Sequence, residues 1–132
     1  MTQTNTQPGP IALTASEDIA ANRLIAIGQS GGNPVALLPN SGVDEVPFVS
    51  EDAVDSGERV TLLPLYPAQS ARVTLSGTCA PGDLLVLSTD GVVVKQPTAA
   101  GTYRLIGIAE ETGANGQAVR LRPVSQRLIT VT

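Results

Sequence analysis

The amino-acid sequence predicts an all-β fold, a compact barrel or sandwich built from two tandem related units of about sixty residues, with a flexible N-terminal arm. Short apolar segments rich in β-branched residues recur along the chain, and no window of ten or more residues has a convincing helical period. Thirteen glycines and ten prolines supply frequent turns between these segments. The same order of segments occurs twice, which predicts the two units.

The first half of the chain contains the arm followed by five predicted strands. Residues 1–10 (MTQTNTQPGP) are polar and lack apolar periodicity, which is typical of a flexible segment. The best helix candidate begins at Ser16, and we expect at most a single turn there because its later counterpart contains Pro81-Gly82. The predicted strands are 11–14, 23–28, 34–39, 46–50 and 59–65, with a Gly-rich hairpin turn at 29–33.

The second half contains six predicted strands separated by further turns. Alternation in AVRLRPV places Val119 and Leu121 on one face and Arg120 and Arg122 on the other, as in a half-buried strand. DLLVL and GVVVK are apolar almost throughout, which is typical of strands covered on both faces. The predicted strands are 71–77, 83–88, 92–96, 103–109, 118–124 and 127–132.

Two segments of the first half align with two segments of the second half in nearly the same register. Residues 11–28 match residues 71–88 at an offset of 60, and residues 46–64 match residues 105–123 at an offset of 59. The sequence therefore predicts a tandem duplication, in which each unit alone exposes an apolar face and the pair buries it. The identical pairs in the second alignment are Glu51/Glu110, Gly57/Gly116, Val60/Val119, Leu62/Leu121 and Pro64/Pro123.

The two units together predict a single β domain over residues 11–132, with internal repeats at about 11–64 and 71–123 and the flexible arm at 1–10. The segment RLITVT (127–132) is similar to the strand that opens each unit, and we expect it to form a third copy of that strand. Pairing of the units can close their sheets into a barrel or sandwich and remove exposed strand edges.

Composition argues against several classes of function. A net charge of −4 without a basic run disfavours nucleic-acid binding, which requires clustered Lys and Arg. No apolar stretch approaches the roughly 18–20 residues of a membrane span, and the N-terminus lacks the basic and apolar regions of a secretory signal. Aromatics amount to 2% and charged residues to 15%, so we expect an aliphatic core and a surface partly covered in an assembly.

The side chains that most enzymes use are scarce. The chain has no histidine and a single cysteine, Cys79, which rules out His-dependent triads, His-ligated metals and an internal disulfide. Adjacent carboxylates such as Glu110-Glu111 lie in polar, turn-like segments and are expected to be solvated. We therefore predict a protein that is not an enzyme and uses no cofactor or metal, with Cys79 as a small buried hydrophobe.

Three local features admit more than one interpretation. Thr89-Asp90-Gly91 fits a tight hairpin turn, in which glycine supplies a positive φ, better than a ligand loop. Pro81-Gly82-Asp83 is similar to the turn of biotinyl and lipoyl domains, but no modifiable lysine stands at the following hairpin tip. Arg120 and Arg122, with Arg59 at a nearly equivalent place in the first unit, form either a solvated outer face or an intersubunit or partner-facing surface.

The N-terminal arm is the second candidate contact region. Pro8 and Pro10 restrict its conformational freedom and favour an extended shape that can add to a neighbouring sheet edge. The alternative is a tail without a role. The candidate partner-contact residues are Thr2, Gln3, Thr4, Asn5, Thr6, Gln7 and Pro8 in the arm, together with Arg120 and Arg122.

The motifs of the second unit resemble those of a known protein family. They are APGDLLVL, DGVVV, GTYRLIGIAEET and GQAVRL. Over residues 11–123 the chain is similar to the small head decoration (cement) proteins of tailed bacteriophages, many of which have a β-tulip or β-barrel-like domain. In the first unit, Asn22-Arg23 stands in place of Gly-Asp and Pro47-Phe48 in place of Ile-Gly. The matching elements are Gly82-Asp83-Leu84, Ile106-Gly107-Ile108-Ala109-Glu110 and Gly116 to Leu121.

The resemblance implies a non-enzymatic capsid protein that binds the outer surface of the mature head, with the major capsid protein as its partner. It further implies a homotrimer that bridges capsomers and stabilises them against the packaged DNA. Such a protein is assembled in the host cytoplasm, resides on the virion and binds neither nucleic acid nor membrane. The alternative is a β-rich host-surface or carbohydrate-binding module, which usually needs exposed aromatics, and the chain has only Phe48, Tyr66 and Tyr103.

Overall fold

The computed structural model describes residues 10–132, and this part of the chain contains ten β-strands and one 3₁₀ turn, which confirms the predicted all-β fold. The candidate contact residues Thr2 to Pro8 of the arm lie outside the described residues. Within residues 10–132, no helix is long and apolar enough to cross a membrane. The strands are β1 Ile11–Ala15, β2 Leu24–Ser30, β3 Asn33–Leu37, β4 Phe48–Ser50, β5 Arg59–Pro64, β6 Ala71–Thr74, β7 Leu84–Leu87, β8 Val93–Lys95, β9 Gly101–Ala109 and β10 Ala118–Val131, and the 3₁₀ turn is Thr89–Gly91.

The first five strands close into a barrel with the order β1-β3-β2-β4-β5. Strand β1 completes the ring by pairing with β3 in parallel and with β5 antiparallel, while the other neighbours are antiparallel. Alternate residues of a strand face opposite sides, so each strand contributes every second side chain to the interior. The buried side chains of this interior are Ala15, Ile19, Ile25, Ala36, Val60 and Leu62.

The last five strands repeat this arrangement, in the order β6-β10-β9-β7-β8. A parallel bridge between Leu75 and Val93 joins the two ends of that sheet, so its strands follow the same ring as those of the first barrel. We call this half the second barrel. The prediction of two related units is therefore confirmed at the level of strand order, strand direction and closure.

The connections between strands correspond as well. An isolated antiparallel bridge joins Ile19 to Val54 in the first barrel, and another joins Cys79 to Gly113 in the second, at sequence offsets of 60 and 59. These are the offsets at which the two halves of the sequence align. The alignment therefore predicts correctly which residues occupy equivalent places.

The Gly82-Asp83 motif forms the tight turn that precedes β7. Gly82 has a φ of 90°, and its N–H donates to the Ala109 carbonyl at 2.8 Å. The carboxylate of Asp83 accepts a hydrogen bond from the Ala80 N–H at 2.8 Å and closes the turn. Asn22 has a φ of 60° at the equivalent place before β2, because asparagine is among the few residues that tolerate this conformation.

Three further local predictions are confirmed. The segment from Ser16 to Asn22 contains bends, a turn and an isolated bridge but no helix. Thr89–Gly91 is a tight turn, with positive φ at Asp90 and at Gly91. Cys79 is buried, and this burial raises the pKa of its thiol.

The C-terminal segment differs from the prediction. RLITVT is not a third copy of an opening strand but the second half of β10, a strand of 14 residues. The register shifts between Pro123 and Arg127, and the strand then continues by pairing with the first half of β9. Because Pro123 has no N–H to donate, the ladder is interrupted there by a bulge that bends the strand without ending it. Residues 101–105 and 127–131 thus form a two-stranded ribbon beyond the second barrel.

The two barrels pack together through one continuous apolar cluster. Leu24, Ala26 and Val49 alternate with the interior residues of β2 and β4 and are at most 9% exposed. They belong to the same cluster as Leu87 and Val93 of the second barrel. The central strands of the first barrel are therefore covered on both faces, which explains why RLIAI is apolar almost throughout.

A short link, residues 65–70, joins the two barrels and is anchored at both ends. The Leu65 N–H donates to the Pro47 carbonyl at 3.1 Å at one end, and the Ser70 hydroxyl donates to the Glu110 carboxylate at the other. The second barrel follows the first within a few residues, so the two are held side by side.

Candidate interaction surface

Arg120 and Arg122 lie on the outer surface of the second barrel, where they are paired with an acidic residue. Leu121 between them is buried, so the two guanidinium groups project to the same side. Arg122 Nη2 lies 3.1 Å from Glu110 Oε2, and Arg120 Nε lies 3.6 Å from Glu110 Oε1. The alternation along β10 alone indicated no acidic neighbour, because Glu110 lies across the sheet. It directly follows β9, the strand that pairs with β10.

Glu110 is held as an anion by its surroundings. The Ser70 hydroxyl donates a hydrogen bond to Glu110 Oε1. This hydrogen bond, followed by the contacts with Arg122 and Arg120, lowers the pKa of the Glu110 carboxyl below its ordinary value. The cluster is a surface one, since the Glu110 side chain is 25% exposed and both arginines are more exposed than that. It therefore orients the arginines more than it stabilises the fold.

The first barrel has no matching arginine pair. Thr61 and Leu63 occupy the equivalent positions on β5. Arg59, which the sequence places near them, lies closer to the start of that strand and donates from Nη2 to the Ala12 carbonyl at 2.8 Å. The arginine pair is thus a feature of the second barrel alone.

Two exposed apolar side chains lie beside the arginine pair. Leu84 on β7, Ile108 on β9 and Arg122 on β10 are direct cross-strand neighbours in that order. Leu84 is 39% exposed and Ile108 is 36% exposed. Side chains directly opposite each other on neighbouring strands touch, so these residues form a continuous strip. We call this strip, together with Arg120 and Glu110, the second outer face.

The equivalent strip of the first barrel is buried. Leu24, Val49 and Leu63 are cross-strand neighbours in the same order, and we call them the first outer face. Leu24 is 0% exposed and Val49 is 3% exposed, because the second barrel packs on them. The same strip of the fold is therefore covered in one barrel and open in the other.

The second barrel covers the first outer face with its hairpin edge, which we define as Leu87, the Thr89–Gly91 turn and Val93. Arg23 Nη1 donates to the Asp90 carbonyl of this turn at 3.1 Å. A Cβ atom on Gly91 would lie 2.5 Å from the Leu24 carbonyl oxygen, so only glycine permits the approach.

A loop of the first barrel is also fixed to the second barrel. The Gln126 side chain accepts from the Val46 N–H at 3.2 Å and donates to the Val46 carbonyl at 2.8 Å, as a second peptide group would. Arg104 Nε donates to the Val43 carbonyl at 2.9 Å. Val46 is fully buried, so these bonds satisfy backbone groups that water cannot reach.

Two clefts open at the junction of the barrels. One has a volume of ≈ 250 Å³ and lies between Val49 and Leu63 on one side and Ser70 and Arg72 on the other. The second has a volume of ≈ 330 Å³ and is lined in part by Pro47. Among residues 10–132, no three or more His, Cys, Asp and Glu side chains are grouped so that they could hold a metal ion. The exposed strip of the second outer face is therefore the main candidate for an interaction surface.

Comparison with known proteins shows the fold of this chain. No family model matches its sequence, and no curated protein matches it. The crystal structure of the head fiber gp8.5 N base in bacteriophage phi29 is similar, with a TM-score of 0.70 and 23% sequence identity. The match covers 87% of this chain and 92% of that chain. At this level of identity the similarity shows a shared fold.

Proposed function

We propose that this chain is a non-enzymatic structural protein of a tailed-bacteriophage virion, bound to the outer surface of the head. The main support is the fold that it shares, over 87% of its length, with the head fiber base of phage phi29. The resemblance of its second-unit motifs to head decoration proteins gives separate support, because it rests on residues and not on the fold.

The finer proposal is a cement role. A homotrimer contacts the major capsid protein at three-fold positions and bridges neighbouring capsomers, so that the head resists the pressure of its DNA. The candidate contact residues of the arm, 2–8, extend to the capsid, while Arg120 and Arg122 belong to the contact between copies. Two barrels tied by an apolar cluster and by the Gln126 hydrogen bonds provide the stiffness that this role requires.

The electrostatics of Glu110 support a structural and not a catalytic part for the acidic pair at 110–111. A general acid at neutral pH needs a raised pKa, whereas the hydrogen bond from Ser70 and the contacts with the arginines lower the pKa of Glu110. Glu111 lies 3.6 Å from Arg72 Nη1 and is paired in the same way. Both carboxylates therefore serve surface ion pairs.

A carbohydrate-binding role receives no support from the aromatic residues. Phe48 packs on the interior of the first barrel, and the Tyr103 hydroxyl donates to the Ala99 carbonyl at 2.9 Å. Phe48, Tyr66 and Tyr103 are all partly buried, so none presents an open ring to a sugar.

The test uses heads of the encoding phage assembled without this protein. We expect the purified protein to co-sediment with mature heads and to raise the temperature at which they release DNA. Removing residues 2–10 is expected to weaken binding at least about tenfold, because the proposed backbone hydrogen bonds to the capsid sheet edge would be lost. A full-length chain with a Gly/Ser sequence at 2–8 is the matched control, since it separates the side chains from the length.

Each outcome decides a different part of the proposal. Absence of binding to heads would contradict the virion location. Binding without a change in heat resistance would retain the location and reject the cement role. Unchanged affinity after removal of residues 2–10 would reject the arm as the capsid contact.

A further inference from the structure

We propose that copies of this chain associate head to tail, and that the second outer face of one copy is covered by the first barrel of the next. The contact reuses the interface that joins the two barrels within one chain. This inference goes beyond the proposed function, because it concerns a contact between copies in solution and does not require the head.

The first step is the interface that already exists within the chain. The hairpin edge of the second barrel lies against the first outer face, and its apolar residues Leu87 and Val93 are 2% and 0% exposed. Beside it, the Thr74 N–H on β6 donates to the Asn22 carbonyl at 2.8 Å. One barrel of this fold can therefore cover the outer face of another with this edge.

The second step is that the first barrel has the same edge. Ile27 pairs with Ala36 as Leu87 pairs with Val93, so Ile27 is the equivalent of Leu87. Ile27 is 42% exposed although its equivalent is buried. We call Ile27 and the hairpin tip that follows it the first hairpin edge.

The third step is the distribution of exposed apolar side chains. Six large hydrophobic residues are exposed in the described part of the chain. Three of them lie on the two surfaces that the internal interface predicts to mate, and the other three are Ile11, Val43 and Leu128. Single exposed hydrophobic residues need no explanation, but their grouping on two complementary surfaces does. The three are Ile27 on the first hairpin edge, and Leu84 and Ile108 on the second outer face.

The fourth step is charge, which selects the orientation. Residues 11–64 carry eight acidic and two basic side chains, a net charge of −6, whereas residues 71–132 carry four acidic and six basic side chains, a net charge of +2. On the second outer face Arg122 stands where the first outer face has Leu63. Contact between two second outer faces would oppose arginine to arginine, whereas a head-to-tail contact brings the basic face to the acidic barrel.

The first hairpin is longer than the second, so it can extend further across a neighbouring copy than the second hairpin extends within the chain. The first hairpin continues for three residue pairs beyond Ile27 and Ala36, whereas the second turns directly after Leu87 and Val93. A Cβ atom on Gly31 or Gly32 at the first tip would meet nothing within 4 Å. The first tip is therefore free to lie across a neighbouring copy.

A head-to-tail contact leaves one unused surface at each end of a pair, so association continues until a ring closes. Three copies in such a ring would present six barrels in one direction, each with its outer face covered by the next. This is the arrangement that we infer for the proposed trimer.

The experiment compares purified variants by analytical ultracentrifugation over a concentration series up to about 1 mM. Leu84→Asp combined with Ile108→Asp, and separately Ile27→Asp, should each raise the dissociation constant at least about tenfold, because each places a carboxylate in the apolar contact. Leu128→Asp is the matched control, since Leu128 is 49% exposed but lies on the ribbon. Far-ultraviolet circular dichroism establishes that each variant is folded, and Ile108→Lys replaces the double variant if that one unfolds.

Mixing decides the orientation. The double variant retains the first hairpin edge and Ile27→Asp retains the second outer face, so an equimolar mixture should form a heterodimer that neither variant forms alone. No recovery on mixing would overturn the head-to-tail contact. A monomeric wild-type protein at the highest concentration, or a Leu128→Asp variant as disruptive as the others, would overturn the proposal as a whole. Because no heads are present, these outcomes are independent of the test of virion location.

Discussion

Leu24 and Leu84 are the same residue at the same place in two copies of one barrel, yet one is fully buried and the other is 39% exposed. The difference extends along the strip that each begins, since Val49 is buried and Ile108 is exposed. The pairing of the strip does not cause this difference, because strand order and the cross-strand partners along it are the same. What differs is the neighbour: the second barrel covers the first outer face, and no part of residues 10–132 covers the second outer face.

Strands β5 and β10 share their buried interior residues but differ at an outer residue. Val60 and Val119 are identical and fully buried, as are Leu62 and Leu121. On the outer side of the same strands, Leu63 contrasts with Arg122. On this pair of strands the duplicated fold thus retains the interior side chains and changes an outer one.

The largest effect should come from truncating the covered leucine. Leu24→Ala removes a fully buried side chain at the junction of the barrels and should lower the free energy of unfolding by about 2–5 kcal/mol. Leu84→Ala, its matched control on the open face, should cost less than about 1 kcal/mol in the monomer. Urea unfolding of both variants measures the contrast, and equal costs would mean that the two strips are equally covered.

The next effect concerns the close approach of the 3₁₀ turn to β2. Gly91→Ala adds a Cβ atom 2.5 Å from a backbone oxygen at a φ of 75° and should cost about 2–3 kcal/mol. Gly116→Ala carries the strain of a φ of 85° without any atom within 4 Å and should cost about 1 kcal/mol. Thermal unfolding of the pair separates the clash from the strain, and the close approach would be disproved if the two variants melted together.

A smaller effect should distinguish the turns that precede β2 and β7. Ser50 is buried, and its hydroxyl accepts from the Arg23 N–H at 3.0 Å and donates to the Ala20 carbonyl at 2.7 Å. In the second barrel Asp83 closes the equivalent turn by accepting from the Ala80 N–H. Ser50→Ala should therefore lower the free energy of unfolding by about 1–3 kcal/mol, because it leaves buried polar groups unpaired.

Urea unfolding of Ser50→Ala should be accompanied by amide hydrogen exchange, which reports which part of the molecule loses stability. We expect faster exchange in the turn before β2 and unchanged exchange in the turn before β7. The exposed Ser125→Ala is the control and should change stability by no more than about 0.5 kcal/mol. Faster exchange in both turns would show that the barrels do not respond separately.

The smallest effect is the pH dependence of the Glu110 cluster. Because the folded-state pKa of Glu110 lies below its ordinary value, its contribution is present above the unfolded-state pKa of about 4.3 and is lost as the pH falls through the lowered folded value. Glu110→Gln should therefore be less stable than the wild type at neutral pH, and the difference should disappear in acid. Chemical unfolding at several pH values measures it, and a difference that grew in acid would have the wrong sign.

The repeated fold could be predicted from the sequence because its signals are local. Period-two alternation located the strands, and the offsets of 60 and 59 matched Ile19 with Cys79 and Val54 with Gly113. The third copy expected at RLITVT was wrong, because the bulge after Pro123 lets β10 continue, and alternation does not report where a strand bends.

The second outer face could be predicted from the sequence only in part. Alternation on β10 placed Arg120 and Arg122 on one side, but their partner Glu110 lies across the sheet and depends on register. The contrast between Leu24 and Leu84 could not be predicted at all, because burial there depends on how one barrel packs on the other. The exposure of equivalent residues in the two barrels can be compared only once that packing is known.

The short link at residues 65–70 makes the same contact behave differently within a chain and between chains. Within a chain it holds the second barrel near the first at an effective concentration on the order of millimolar, whatever the dilution. Between chains no link holds the partners together, so the fraction of chains that form the contact depends on the protein concentration. Copies bound side by side on one surface have a local concentration close to the effective concentration that the link provides. They would therefore associate there at protein concentrations too low for association in solution.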